Sequence, residues 1–361
     1  MNSTERTFVN FIGEFIFNKD LIKLTDCNTN SNIDWDNLLD LAIIHNVQGI
    51  IYYGLIENEL INNISEARIN ELLELESTKN SHEEEFTELF LQILDDFKAN
   101  NISTVIAKGL FETKLYRLPL SRLTNKVELL VEKKHINKLT QVLSSYKFSH
   151  RYTKDKNKII FTNKNYCTIV VSSNFYKLNN NVSMVKKLQR DVWNSSIEKS
   201  FNDISYLTLN DEEKLLHLVM SMADDFKENK LYLMDICDFA LLIDKLKDKI
   251  NWDSFFIKTS ISYIEKFLLA LLLTCKEFFN IDIPKEFNTD LIANQKYIDS
   301  FIDIILNPSE EIANELTNKE IVSTTEKKSF IFKLPLFNVF KKSNTPVKPN
   351  KLLEWLDLQY N

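Results

Sequence analysis

The chain has 361 residues, 44% hydrophobic and 26% charged, with a net charge of −7. Such values suit a soluble globular protein of two or three domains, and the acidic balance argues against broad nucleic-acid binding. With only 4 Gly and 6 Pro, few turns are expected to need positive φ, which favours long helices and short connections over an all-β fold.

Four cysteines, Cys27, Cys167, Cys237 and Cys275, are widely spaced, with no CxxC or Cys/His ligand pattern. That predicts reduced thiols, a cytoplasmic location and no zinc site. Glu5, Glu14, Lys19 and Asp20 interrupt what a signal peptide would need at the start. The longest apolar run, Phe267–Thr274, is too short for a membrane span.

Residues 1–100 read as a helical region. Phe8, Phe11, Ile12, Phe15 and Ile16 repeat at helical spacing, and a second helix starts near Asp34-Trp35. A third, charged helix covers 65–100, with a phase change that predicts a break near Asn80-Ser81. Residues 101–178 read as a small α/β core. Ile102–Ala107 is a β-branched run closed by Lys108-Gly109, and Leu110–Tyr116 fits two helical turns. Val127, Leu129, Leu130 and Val131 form a second strand, His135–Ser145 a helix, and Tyr146–Tyr152, Lys158–Thr162 and Cys167–Val171 three further strands. Residues 179–310 return to helix, with Asn210 and Glu213 spaced as a capping box. Residues 311–361 form a tail: seven lysines and no acid lie between Lys327 and Lys351, followed by a short terminal helix. The fold class expected is α+β, predominantly helical, with a small mixed β-sheet flanked by helical regions.

Three stretches carry a family pattern. Ile106–Gly109, Leu115-Tyr116-Arg117, Arg122 and Val127–Val131 stand in order; Leu41–Leu55 precedes them and Leu209–Leu242 follows. Together they resemble the uncharacterised bacterial nucleotidyltransferase family, related to polymerase-β-type enzymes, over most of residues 35–290. The resemblance implies two-metal phosphoryl transfer with Mg²⁺ and an NTP. Two acids at i and i+2 on one strand would share the metals, a third acid would come from a neighbouring strand, and the Gly turn would let backbone N–H groups approach the triphosphate.

Here the i position is Lys126 and the i+2 position is Glu128, and the third aligns near Ser172. One acid of three remains, and one carboxylate is a poor Mg²⁺ site. The reading is a degenerate centre in which the Lys126 ammonium pairs with Glu128. Glu128 is the catalytic candidate; Lys108, Gly109, Arg122 and Lys126 are the candidates for holding a nucleotide or other phosphate-bearing ligand; no metal ligand is assigned. The protein would then be a non-catalytic binding or scaffolding subunit, with a protein partner in a peptide or small-molecule modification pathway.

Two alternatives stay open. One is an active Mg²⁺-dependent enzyme in which Glu132 or Asp155 helps Glu128 and the acceptor is unknown. The other is a membrane-peripheral adaptor working through the basic tail, against which Pro335, Pro346 and Pro349 count. His45 reads as a half-buried structural histidine and His217 as structural. His82, His135 and His150 suggest no triad or metal site.

Overall fold

The computed structural model describes residues 1, 3–17, 33–109, 112–153, 155, 157–164, 167–176, 182–287, 294–307 and 347–358. The lysine-rich run expected to begin at Lys327 lies outside them as far as residue 346. In chain order the helices and strands are α1 (Ser3–Phe17), α2 (Trp35–Ile44), α3 (Gln48–Glu57), α4 (Glu66–Ala99), β1 (Thr104–Lys108), β2 (Lys126–Val131), α5 (Ile136–Ser145), β3 (Ser149–Tyr152), β4 (Lys158–Thr162) and β5 (Thr168–Ser172). There follow α6 (Val182–Asn194), β6 (Ile197–Phe201), β7 (Ile204–Thr208), α7 (Asp211–Lys227), α8 (Leu233–Leu246), α9 (Trp252–Ile261), α10 (Glu265–Phe279), α11 (Gln295–Leu306) and α12 (Pro349–Trp355). The chain is thus helical on either side of one mixed sheet, as its composition predicts.

Two compact units divide the chain: Met1–Leu72 with Ser221–Asp244 and Ile264–Tyr360, and Leu73–Met220 with Lys245–Tyr263. The first is helical. Phe8, Phe11, Ile12 and Phe15 of α1 are buried, and Gly54 of α3 is so close to Phe11 that a Cβ there would meet its ring at 2.6 Å. The Asp34 carboxylate caps α2 by accepting from the Asn37 N–H at 3.1 Å. His45 is wholly buried rather than half-buried, and its Nε2–H donates to the Leu306 carbonyl at 3.1 Å. Burial lowers its pKa to about 4 against the pull of that carbonyl, so it is a neutral core histidine.

The second unit holds the sheet, seven strands in the order β3-β4-β5-β2-β1-β7-β6. β2 pairs antiparallel with β1 and parallel with β5. Val127, Leu129 and Val131 of β2 pack on Phe86, Phe90 and Phe97 of α4 and Leu139 and Leu143 of α5, which cover one face. Both edge strands are polar and exposed, as edges protected from further pairing should be.

Four expectations need correction. The stretch 179–310 is not all helix: β6 and β7 form a hairpin that extends the sheet. The third helix has no break at Asn80-Ser81; α4 runs unbroken for 34 residues. Between β1 and β2, the described part of 110–116 is a single 3₁₀ turn, Glu112–Leu115. Scarcity of glycine does not mean scarcity of positive φ. Asn46, Asn101, Asn202, Asn229 and Asn280, with Glu59, Lys147, Asp203, Tyr263 and Asp357, all take it. Asparagine pays least for that conformation after glycine, so it closes the turns here.

Candidate functional site

The site is built on β2. Since Val127, Leu129 and Val131 face the helices, alternation turns Lys126, Glu128 and Leu130 to the opposite face. Glu128 is buried at 6% exposure, an expensive place for a carboxylate without partners. Lys126 Nζ lies 2.7 Å from its Oε1. His217 Nε2 lies 3.0 Å from its Oε2, and because a carboxylate only accepts, that nitrogen carries the hydrogen and donates it. The His217 ring, from α7, also packs on Phe175 at 5.5 Å between centroids.

Lys108 is added by a bulge. The β1–β2 register steps from Ile106↔Leu129 to Lys108↔Glu128, leaving Ala107 as the extra residue. Lys108 therefore sits opposite Glu128, and residues opposite each other in an antiparallel pair share a face. Burial alone would push the Glu128 carboxyl up. Lys126, then the hydrogen bond and charge of His217, then Lys108 outweigh it and hold the group well below the usual carboxylate range.

The position expected for a third acid is on this same face. Ser172 aligns with Leu130 in the parallel β2–β5 pair, and β5 reads TIVVS, without a carboxylate. Among the described residues no three His, Cys, Asp or Glu side chains group as metal ligands. A magnesium site does not fit this set. Its one acid already accepts from an ammonium and an imidazole, and Mg²⁺ needs several free oxygen ligands.

The remaining candidates separate. Arg122 follows the 3₁₀ turn Pro119–Ser121, and its Nη1 donates to the Leu123 carbonyl at 3.1 Å. Its charge acts on Glu83 and Lys79 of α4. Burial pushes the Glu83 carboxyl up to about 7, against the Thr124 N–H that it accepts at 3.3 Å and the Arg122 charge. Gly109 has φ +149°, and a Cβ there would meet Val127 Cγ2 at 2.9 Å and Lys126 O at 3.2 Å. The close approach that requires glycine is therefore to β2. Glu132 is bonded to Lys134 at 2.6 Å and lies 3.5 Å from His135, while Asp155 accepts from the Asn157 N–H at 2.9 Å within its own turn.

Sequence reasoning missed His217 as part of the cluster. A signal existed: a glutamate in a buried strand needs more than one partner, and Glu213 and His217 share a helix face at i, i+4. The Asn210–Glu213 pair also does more than cap. Asn210 Oδ1 accepts from the Glu213 N–H at 2.8 Å, while the Glu213 carboxylate accepts from Tyr176 Oη at 3.1 Å and pairs with Lys258. Burial and Glu213 push the Tyr176 phenol up, so it stays a donor.

A mixed sheet with helices on one face, a strand–glycine turn leading to a second strand, and a carboxylate on that strand's other face define a protein of the nucleotidyltransferase type. Residues 31–280 match the family described as uncharacterised nucleotidyltransferase, more than half of the chain, and the chain belongs to that family. Among solved structures it is similar to a lincosamide antibiotic adenylyltransferase, LnuA, with lincomycin bound, at 16% identity over 43% of this chain and 94% of that one, TM-score 0.30. It is also similar to an antigenic nucleotidyltransferase-like protein from Paracoccidioides brasiliensis, at 14% identity over 55% of this chain and 94% of that one, TM-score 0.33. No curated protein matches the chain.

Proposed function

We propose that this protein keeps the nucleotidyltransferase framework without metal-dependent nucleotidyl transfer and acts in the cytoplasm as a binding or scaffolding subunit. One observation carries the reading: Glu128, the single acid at the family's metal positions, is committed to Lys126 and His217. The ammonium supplies next to the carboxylate the positive charge that a metal would bring, and a metal entering there would meet repulsion from Lys126 and Lys108. A phosphate-bearing ligand and a protein partner go with this reading; Mg²⁺ chemistry does not. An active enzyme with rearranged ligands gains no support from Glu132 or Asp155, since each is bonded locally.

The test is incubation of the protein with each of the four labelled NTPs, Mg²⁺ or Mn²⁺, and a panel of hydroxyl- and amine-bearing acceptors, including the protein itself. Neither label transfer nor pyrophosphate release above background is expected. Metal-dependent transfer that disappears in Glu128→Ala would overturn the proposal.

A further inference from the structure

We infer a protein-docking surface at the β3–β4–β5 end of the sheet, on the face away from α4 and α5, whose occupant is an acidic, extended segment of a partner protein. Residues 133–190 hold thirteen Lys and Arg against one acid, Asp155, in a chain of net charge −7. That acid is used locally, accepting from the N–H and the side-chain amide of Asn157. A charge asymmetry of this size makes the local potential positive although the whole chain is acidic, and favours an anionic partner.

Strand register places the cations. Ile159, Phe161, Ile169 and Val171 pack in the core with α4 and α5, so alternation turns their neighbours to the other face. One row across the strands there is Ser149, Thr162, Thr168 and Lys126, and Arg151 stands beside Ile160 on the next. Near β2 this face is covered, since Val170 and Glu128 are buried. Toward β3 it opens, with Ser149, Arg151 and Thr162 exposed and Ile160 half-buried. Lys164, exposed in the β4–β5 turn, lies two residues beyond Thr162. β3, β4 and β5 contain no acid.

What this face offers and lacks selects the occupant. An Arg fork suits carboxylates, and serine and threonine hydroxyls pair with carboxylate and peptide oxygens. Four strands span ~14 Å, the reach of about four or five residues of an extended chain. Single-stranded nucleic acid would need rings on which to stack its bases, and the exposed His150 and Tyr152 pair with Phe161 and Ile159, on the opposite face. A membrane would need exposed large apolar side chains, and this end of the face has none among the described residues. The surface gives the partner of the proposed function a place and a charge, and rests on that reading in taking the partner to be a protein.

Fluorescence anisotropy of the full chain with a labelled peptide of alternating Glu and Thr tests it, beside the matching Gln–Thr peptide and an oligothymidylate of equal charge. The acidic peptide is expected to bind, its affinity falling with added salt, and the Gln–Thr peptide not to. Arg151→Ala combined with Lys164→Ala should weaken binding at least about tenfold, the loss expected on removing charge-assisted hydrogen bonds. Both side chains are exposed, so the fold should survive, which circular dichroism verifies. Lys133→Ala combined with Lys138→Ala removes the same charge beside and on α5, which packs on the opposite face, and should leave binding unchanged. No binding of the acidic peptide, or a first double variant no weaker than the second, overturns the surface. Oligothymidylate bound as tightly as the peptide overturns the assignment to a protein partner. With neither NTP nor metal present, no outcome bears on nucleotidyl transfer, so failure here is distinguishable from failure of the proposed function.

Discussion

Glu128 shows how one side chain can keep a charge in a buried strand. The carboxylate tolerates 6% exposure because both oxygens are bonded, one to Lys126 and one to His217. His217→Ala leaves Oε2 without its donor in a buried place, at a cost of roughly 1–3 kcal/mol. Chemical denaturation should show that loss, and Glu128→Gln combined with His217→Ala should lose less than the two singles summed, because they share one bond. The Lys126–Glu128 pair was legible in the sequence, since residues at i and i+2 on a strand share a face. His217 was not, because it reaches Glu128 from 89 residues away on another element. Acid dependence separates Glu128 from Glu83. A depressed carboxyl such as Glu128 stabilises the fold above its unfolded value of ~4.3, and that contribution is lost as pH falls through the lower folded value. Glu83 runs the other way: with its folded pKa raised to about 7, ionisation opposes folding, and stability declines as pH climbs from the unfolded value of ~4.3 through the folded one. Glu83→Gln should therefore raise the melting temperature at pH 8 and change it little at pH 4. A shift of equal size at both pH values would show that ionisation of Glu83 is not the cause.

At the scale of elements, the hairpin β6–β7 is the clearest departure from the sequence reading. Its turn is Asn202-Asp203, with φ of 46° and 65°, the paired positive values of a type I′ turn that suits hairpin twist. The signal was present as adjacent Asn and Asp between Phe201 and Ile204, but the polar exposed face of β6 hid the alternation. Edge strands carry little hydrophobic pattern because only one side has a partner. Replacing Asp203 by Gly should relieve the left-handed backbone cost of ~1–2 kcal/mol at the second turn position, offset by the ~0.5–1 kcal/mol entropic cost of glycine, and so raise stability slightly. Gly109 predicts the reverse. Its Cβ space is filled by Val127 and the Lys126 carbonyl, and its φ disfavours any side chain. Gly109→Ala should destabilise by ~1–3 kcal/mol, through backbone strain and displacement of β2. Urea midpoints of the two variants, moving in opposite directions from the parent, would check both.

For the whole molecule, chain order and spatial order differ in a way that local pattern cannot reveal. β1 pairs with β7 through Val105↔Leu207, across about a hundred residues that contain five other strands and two α-helices of the same unit. The core behind β2 draws Phe86, Phe90, Ile93 and Phe97 from a helix that precedes the strands, and Tyr206 from β7, which follows them. Periodicity identified each of those helices and most of the strands. It could not say which would share a core, because pairing at long sequence separation is set by three-dimensional packing and loop closure, not by local propensity. A fragment of residues 101–178 carries β1 to β5, from one edge of the sheet to its middle, but lacks α4, the hairpin and His217. Without α4 the apolar face of β2 and β5 meets water, without β7 the β1 edge is open, and Glu128 keeps Lys126 but loses its imidazole donor. The fragment should be unfolded or aggregated, with poorly dispersed amide resonances. A fragment of residues 73–263 restores all three and should give dispersed resonances in the part corresponding to the sheet. A dispersed spectrum from 101–178 alone would show that the sheet does not need these partners to fold.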